Sequence, residues 1–181
     1  SMPYNEQIFC TNDGETTTEW KAEDQVVCGD AMPECSGTFR INMDYRGIFL
    51  NMSFYYQFGG QTYNQTLVDR VENANVGLNV DKRIYNAVWK KPGDRVDFSY
   101  NPYRLTKPSS RFVQDLNELS LSSLNVGYDF RHCAFLKKSR LQQLKASFYM
   151  DDVFRASTVK TERGLTYPFA RTFSFSLQAT F

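Results

Sequence analysis

The sequence contains no stretch of 18 or more apolar residues, which excludes a transmembrane helix. It also lacks any long run of one charge, and its formal net charge is only +1. That balance argues against a nucleic-acid groove and against a polybasic membrane patch. Histidine occurs once, as His132 beside Cys133, so a Ser-His-Asp arrangement has no scaffold. With no CxxC pair, a zinc centre has too few ligands. Asp151 and Asp152 are adjacent and would point to opposite faces of a strand, a poor geometry for a paired-carboxylate hydrolase. Neither a P-loop nor a dinucleotide fingerprint is present. These absences argue against an enzyme and against any cofactor. The opening residues Ser1-Met2-Pro3-Tyr4-Asn5 carry no basic-then-apolar pattern, so an exported chain would have had its signal upstream.

Cysteine is sparse: Cys10, Cys28, Cys35 and Cys133. In an exported chain a disulfide is favoured among the first three, with Cys28–Cys35 closing the shorter loop. Free thiols are the alternative.

Aromatic residues, by contrast, are abundant. They make up 15% of the 181 residues, yet mean hydropathy stays at -0.50. A chain this aromatic and still this polar fits strands that are greasy on one side and wet on the other. Period-two alternation bears that out from Thr38 to Tyr45, where Phe39, Ile41, Met43 and Tyr45 alternate with Arg40, Asn42 and Asp44. Arg46-Gly47 makes a tight turn, and Ile48, Leu50, Met52, Phe54, Tyr56 and Phe58 continue the pattern, with Phe49 the one apolar exception on the polar face. Leu119 and Leu121 set one phase and Leu124, Val126, Tyr128 and Phe130 the other, so a β-bulge is expected at Ser122-Ser123. A fourth strand is expected from Leu144 to about residue 153, and a last one over 168–181. Residues 1–36 and 59–111 read as long polar loops, the latter with a short helix near 81–89 and turns at Pro92-Gly93, Asn101-Pro102 and Lys107-Pro108.

Alternation alone also fits a soluble sandwich or barrel. Three features favour a membrane barrel. Ile48–Phe58 has the length of a spanning strand, about 9–11 residues at a tilt near 45°. Connections alternate between short and long, as in outer-membrane barrels with short periplasmic turns and long outside loops. Aromatics gather at strand ends, with Tyr45, Tyr128, Phe130 and Phe181 on one side and Tyr56 and Phe58 on the other, as interfacial girdles do. Five strands cannot close a barrel, because an open edge in hydrocarbon leaves backbone groups unpaired. The expected fold is therefore all-β, an antiparallel transmembrane β-barrel fragment.

Several stretches carry a specific resemblance. Tyr55-Tyr56-Gln57-Phe58-Gly59-Gly60, Trp89-Lys90-Lys91-Pro92-Gly93-Asp94, Ser109-Ser110-Arg111-Phe112-Val113-Gln114-Asp115, the Leu-rich run Leu119–Tyr128 and the ending Tyr167–Phe181 follow one another. In combination they resemble SusC-like (RagA-type) TonB-dependent transporters over residues 37–181. Asp151-Asp152 stand where that family commonly has Gly-Gln-Asn or similar, and Arg131-His132-Cys133 replaces its usual Pro-containing turn. The resemblance implies about five C-terminal strands of a plugged barrel of roughly 22 strands; residues 1–36 resemble nothing in that family, and the alternation of connection lengths makes both 1–36 and 59–111 expected extracellular loops. It implies import of glycans or peptides across a bacterial outer membrane. The partners implied are the rest of the barrel and its plug, a SusD-like surface lipoprotein, TonB, membrane lipid and lipopolysaccharide.

The residue roles follow from that resemblance. Phe173, Phe175, Leu177 and Phe181 form an apolar alternation ending in a terminal aromatic, similar to a barrel-assembly signal, where the plain alternative is simply a final strand. Trp89, Lys90, Lys91 and Asp94 could contact the lid or ligand, or Pro92-Gly93 simply makes a type II turn between solvated lysines. Tyr55, Gln57, Lys145 and Tyr149 would face the lumen, either touching solute or plug or simply filling a polar interior, the plainer reading. A soluble β-sandwich with a carbohydrate-binding or adhesin-like role is the competing function, and a barrel-embedded enzyme is a third.

Overall fold

A computed structural model describes residues 8–75, 77–98, 106–133, 136, 141–160 and 171–181. The expected turn at Asn101-Pro102 and the 168–170 start of the last strand lie outside these residues. The chain forms two compact units, one from Ser1–Asp30 and Thr62–Gln114, the other from Ala31–Gln61 and Asp115–Phe181.

The first unit holds a two-stranded ribbon, β1 (Phe9–Cys10) with β2 (Thr16–Thr17). It also has a helical turn Gln65–Leu67 that runs on as a π-turn Val68–Glu72. Asn64 caps that turn, its side chain accepting from the Leu67 amide at 3.2 Å. This leaves Leu67, Val68 and Val71 on one side, where they bury against Val88 and Phe112. The helix expected near 81–89 is the short turn Ile84–Ala87. The polar composition of 59–111 hid this small core, since its apolar members are few and far apart in sequence.

The second unit is built on a five-stranded sheet of β3 (Cys35–Tyr45), β4 (Ile48–Tyr63), β5 (Val113–Asp129), β6 (Gln143–Ser157) and β7 (Phe173–Thr180), in that spatial order. Each strand pairs with the next in sequence, so the sheet is an antiparallel meander. The β3–β4 hairpin closes through Arg46 and Gly47, both at positive φ (51° and 91°). That is the twist a two-residue hairpin turn needs. A Cβ on Gly47 would sit 2.6 Å from the Asp129 carbonyl, and the Asp129 amide donates to the Gly47 carbonyl at 2.7 Å. The turn is thereby locked to the end of β5. At the other end of the same strand pair, Gln61 donates to Asp115 at 2.9 Å.

The β5–β6 register runs from Asp129↔Lys145 to Ser123↔Asp151, then shifts before resuming at Leu121↔Phe154. The bulge thus falls where the two apolar phases meet. Asp152, at φ 49°, takes up part of the slip in the partner strand. β6 does not stop near 153 but continues to Ser157, with Phe154 keeping the parity of Phe148 and Met150. β4 likewise continues past Phe58 through Gly59-Gly60 to Tyr63.

Phe49, the apolar exception of β4, has its ring over Gly127 of β5, where a side chain would run into both that ring and the Ala146 carbonyl. An aromatic covering a strand glycine restores the cross-strand packing that glycine itself cannot supply.

Candidate functional site

The two faces of the sheet are chemically opposite. One face is apolar from edge to edge. Phe39 pairs with Phe54, Ile41 with Met52 and Met43 with Leu50. Leu124 pairs with Met150 and Val126 with Phe148, and Phe148 pairs in turn with Phe175 of β7. The Phe39 and Phe54 rings stack 4.7 Å apart, and Phe54 meets Phe154 edge-on at 6.5 Å. Yet this face is bare. Phe175 is 70% exposed, Met43 57% and Ile48 51%, and within the sheet only Leu121 counts among the buried apolar residues. A sheet in water covers such a face with a second layer, because contiguous apolar surface of this kind mediates contact with something apolar.

The opposite face is polar and internally bonded. Tyr55 donates to Gln57 at 2.9 Å, and Gln57 donates to Glu118 at 3.3 Å. Arg155 closes the chain with an ion pair to Glu118 at 2.7 Å. Tyr149 donates to Asp151 at 2.5 Å, and Ser147 and Ser176 share a hydrogen bond of 2.7 Å. At the hairpin end, buried Asp129 accepts from Arg131 Nε at 2.9 Å and Gln143 at 3.2 Å, with Lys145 at 3.6 Å. Tyr55, Gln57, Lys145 and Tyr149 therefore all lie within this polar face. Sequence reading missed the Glu118–Arg155 pair, because Glu118 shares the parity of apolar Leu124 and Val126 and only the phase reversal of β5 puts it on the polar face.

Phe173, Phe175 and Leu177 lie on the apolar face of β7, opposite Met150, Phe148 and Ala146. Phe181 follows the strand and is 80% exposed. Trp89, Lys90, Lys91 and Asp94 fall in the other unit. There the Asp94 carboxylate accepts from the Lys90 and Lys91 amides at 3.2 and 3.1 Å, and the Asp94 amide donates to the Lys91 carbonyl at 3.2 Å. With Gly93 at φ 98°, the Pro92-Gly93 step has the geometry of a type II turn. Trp89 is held by its amide, which donates to the Phe98 carbonyl at 2.9 Å. Cys28 and Cys35 are free thiols, as are Cys10 and Cys133, so the Cys28–Cys35 bond is not formed in this structure. Cys35 sits in β3 opposite Phe58.

The same unit contains a cleft of about 800 Å³ that sequence reading also missed, lined in part by Phe9, Trp20, Tyr63, Lys107 and Arg111. Trp20 donates to the Pro108 carbonyl at 3.3 Å, with the Lys107 ammonium 5.6 Å from its ring centre. Arg111 pairs with Glu72 at 2.5 Å. Among the described residues no cluster of His, Cys, Asp and Glu could hold a metal ion, and no helix is long and apolar enough to cross a membrane.

No protein-family model matches the chain, and a comparison with curated proteins likewise finds no match. Solved structures do match. A chain of the RagAB peptide importer in its open-open state is similar over 97% of this chain and 20% of its own length, with a TM-score of 0.70 at 16% identity. In the closed-closed state the corresponding figures are 96%, 20%, 0.66 and 16%. A chain from a structure of the RagAB peptide transporter is similar over 85% of this chain and 17% of its own, with a TM-score of 0.59 at 15% identity. In fold, therefore, this antiparallel β-structure is similar to a segment of a peptide importer, and it spans one-fifth of the length of the first two of those chains.

Proposed function

We propose that this chain is the C-terminal part of the β-barrel of a SusC-like, TonB-dependent nutrient importer of a bacterial outer membrane. The observation that carries this reading is the uncovered apolar face of the sheet, continuous from Met43 to Phe175 and backed by a bonded polar face. Hydrocarbon is the partner that such a face fits without a second protein layer, and a polar interior is what the reverse face of a transmembrane barrel presents. The two outer strands need neighbours, because lipid cannot satisfy their free backbone groups. The rest of the wall and its plug therefore come from further polypeptide.

In this reading the Ser1–Asp30 and Thr62–Gln114 unit lies outside the cell, beside a SusD-like lipoprotein that captures glycan or peptide, and TonB acts on the plug. Lipopolysaccharide surrounds the outer rim. β7 with Phe181 serves as the assembly signal. Trp89, Lys90, Lys91 and Asp94 stand in the external unit as candidate contacts for lid or ligand.

A photo-crosslinking amino acid placed singly at Val126, Phe148, Asn125 and Ser147 of the full-length protein tests this in cells. Adducts to lipid are expected at Val126 and Phe148 and not at Asn125 and Ser147. Release of the protein by salt or freeze–thaw, without detergent, would sink the importer reading and return the chain to a soluble sandwich.

A further inference from the structure

The charges of the polar face are answered within β4 to β6: Glu118 by Arg155 at 2.7 Å, Asp129 by Arg131 and Lys145 at 2.8 and 3.6 Å, and Asp151 by Tyr149 at 2.5 Å. That pattern breaks at β3. Arg40 and Asp44 share the polar face of this strand, both exposed, and neither has a partner among the described residues. β4 offers them nothing, since Arg40 lies opposite Ser53 and Asp44 opposite Phe49, whose ring is over Gly127. β3 is also the outermost strand of the sheet, with no strand on its far side among the described residues.

We infer that the free edge of β3 is completed by an antiparallel strand from outside residues 1–181, whose inward face carries a carboxylate beside Arg40 and a basic side chain beside Asp44. This rests on the barrel reading. Cross-strand pairs of opposite charge stabilise an antiparallel ladder, and like charges oppose it. In an antiparallel neighbour the residue beside Asp44 comes four positions before the one beside Arg40. The strand therefore reads Lys or Arg, three residues, then Asp or Glu. The intermediate position beside Asn42 also faces inward and is polar, and the two flanking it face outward and are apolar, continuing the face of Ile41 and Met43.

Zero-length carbodiimide coupling in the full-length, membrane-extracted protein tests this. An Arg40→Lys variant supplies an amine, and mass spectrometry of the digest reads the bond. Lys145 and Asp129, 3.6 Å apart, serve as the internal control that the reagent reaches this face. The expected result is a link from position 40 to an Asp or Glu outside residues 1–181, with Lys or Arg four residues before it. If the control link forms while position 40 stays unlinked, joins a carboxylate within this chain, or joins one lacking that basic residue, the inference is overturned although the barrel stands. Should the variant fail to assemble, phenylglyoxal decides on the wild-type protein. Arg40 is expected to resist modification until urea is added, and ready modification in the assembled protein overturns the pairing. A protein that needs no detergent overturns the barrel reading itself, and the pairing with it.

Discussion

Gly127 has no room for a side chain, since a Cβ there would meet the Phe49 ring and the Ala146 carbonyl, a backbone atom with nowhere to go. Gly37 differs, because its nearest obstacle is the hydroxyl end of Tyr56 at 2.8 Å, which can swing away. Gly127→Ala is therefore expected to destabilise the assembled protein by about 1–3 kcal/mol through overpacking, and Gly37→Ala by clearly less. The midpoint of heat-induced mobility change on gels compares the two directly. Asp152 is a second point of local constraint, at φ 49° in the bulge. A β-branched residue is poorly suited to that region, so Asp152→Val should lose about 1–2 kcal/mol by the same measurement, whereas Asp152→Gly, which relieves the backbone, should lose less. At this scale the sequence was only partly legible. Phe49 stood out as an exception to alternation, but nothing near it in sequence pointed to Gly127, because the partner strand begins about fifty residues later.

Within single strands, the two faces should respond unequally to charge. Val126→Lys and Phe148→Lys on the apolar face are expected to cost about 2–4 kcal/mol each if they lie near mid-membrane. Asn125→Lys and Ser147→Lys, one residue away on the polar face, should cost far less. Equilibrium unfolding of the assembled protein in urea would show the alternation, and equal penalties on both faces would contradict the assignment. The strands were the most legible feature of the sequence, because a period of two survives whatever a strand packs against. The tight turn at Arg46-Gly47 was equally plain, and the reversal of phase between Leu121 and Leu124 located the bulge. Strand ends were less plain. β6 reaches Ser157 with Phe154 still on the apolar face of Phe148 and Met150, opposite Leu121, a continuation that the adjacent carboxylates Asp151-Asp152 disguise as a strand end.

Across the whole molecule, the Ser1–Asp30 and Thr62–Gln114 unit has a stability of its own to report. Its Asp81 side chain is fully buried, and burial by itself would raise the carboxyl's pKa. The hydrogen bonds and charge of Arg83 outweigh that and hold the group below its ordinary value of 3.8. Arg83 donates through its amide at 2.8 Å and through Nε at 2.9 Å. A depressed folded pKa means that the stabilisation is fully present above about pH 4 and is lost as pH falls through the lower, folded value. Trp20 and Trp89, the chain's two tryptophans, both belong to this unit, so intrinsic fluorescence should show it loosening in acid below that point. Asp81→Asn should loosen it at neutral pH and abolish the acid step. A step retained in the variant would place the responsible group elsewhere. This unit was the least legible part of the chain. Its core draws on Leu67, Val68 and Val71, which have helical spacing over little more than one turn, and on the distant Val88 and Phe112, and its cleft joins residues from both ends of a long sequence gap.

The sheet's outermost strands, β3 and β7, each lack a neighbour on one side among the described residues. A ladder open at both rails is a template for its own kind, since unsatisfied amides and carbonyls on one copy match those on the next. Two such sheets meeting edge to edge in water are therefore expected to join strand to strand into ribbons wherever β3 or β7 finds no other strand to pair with.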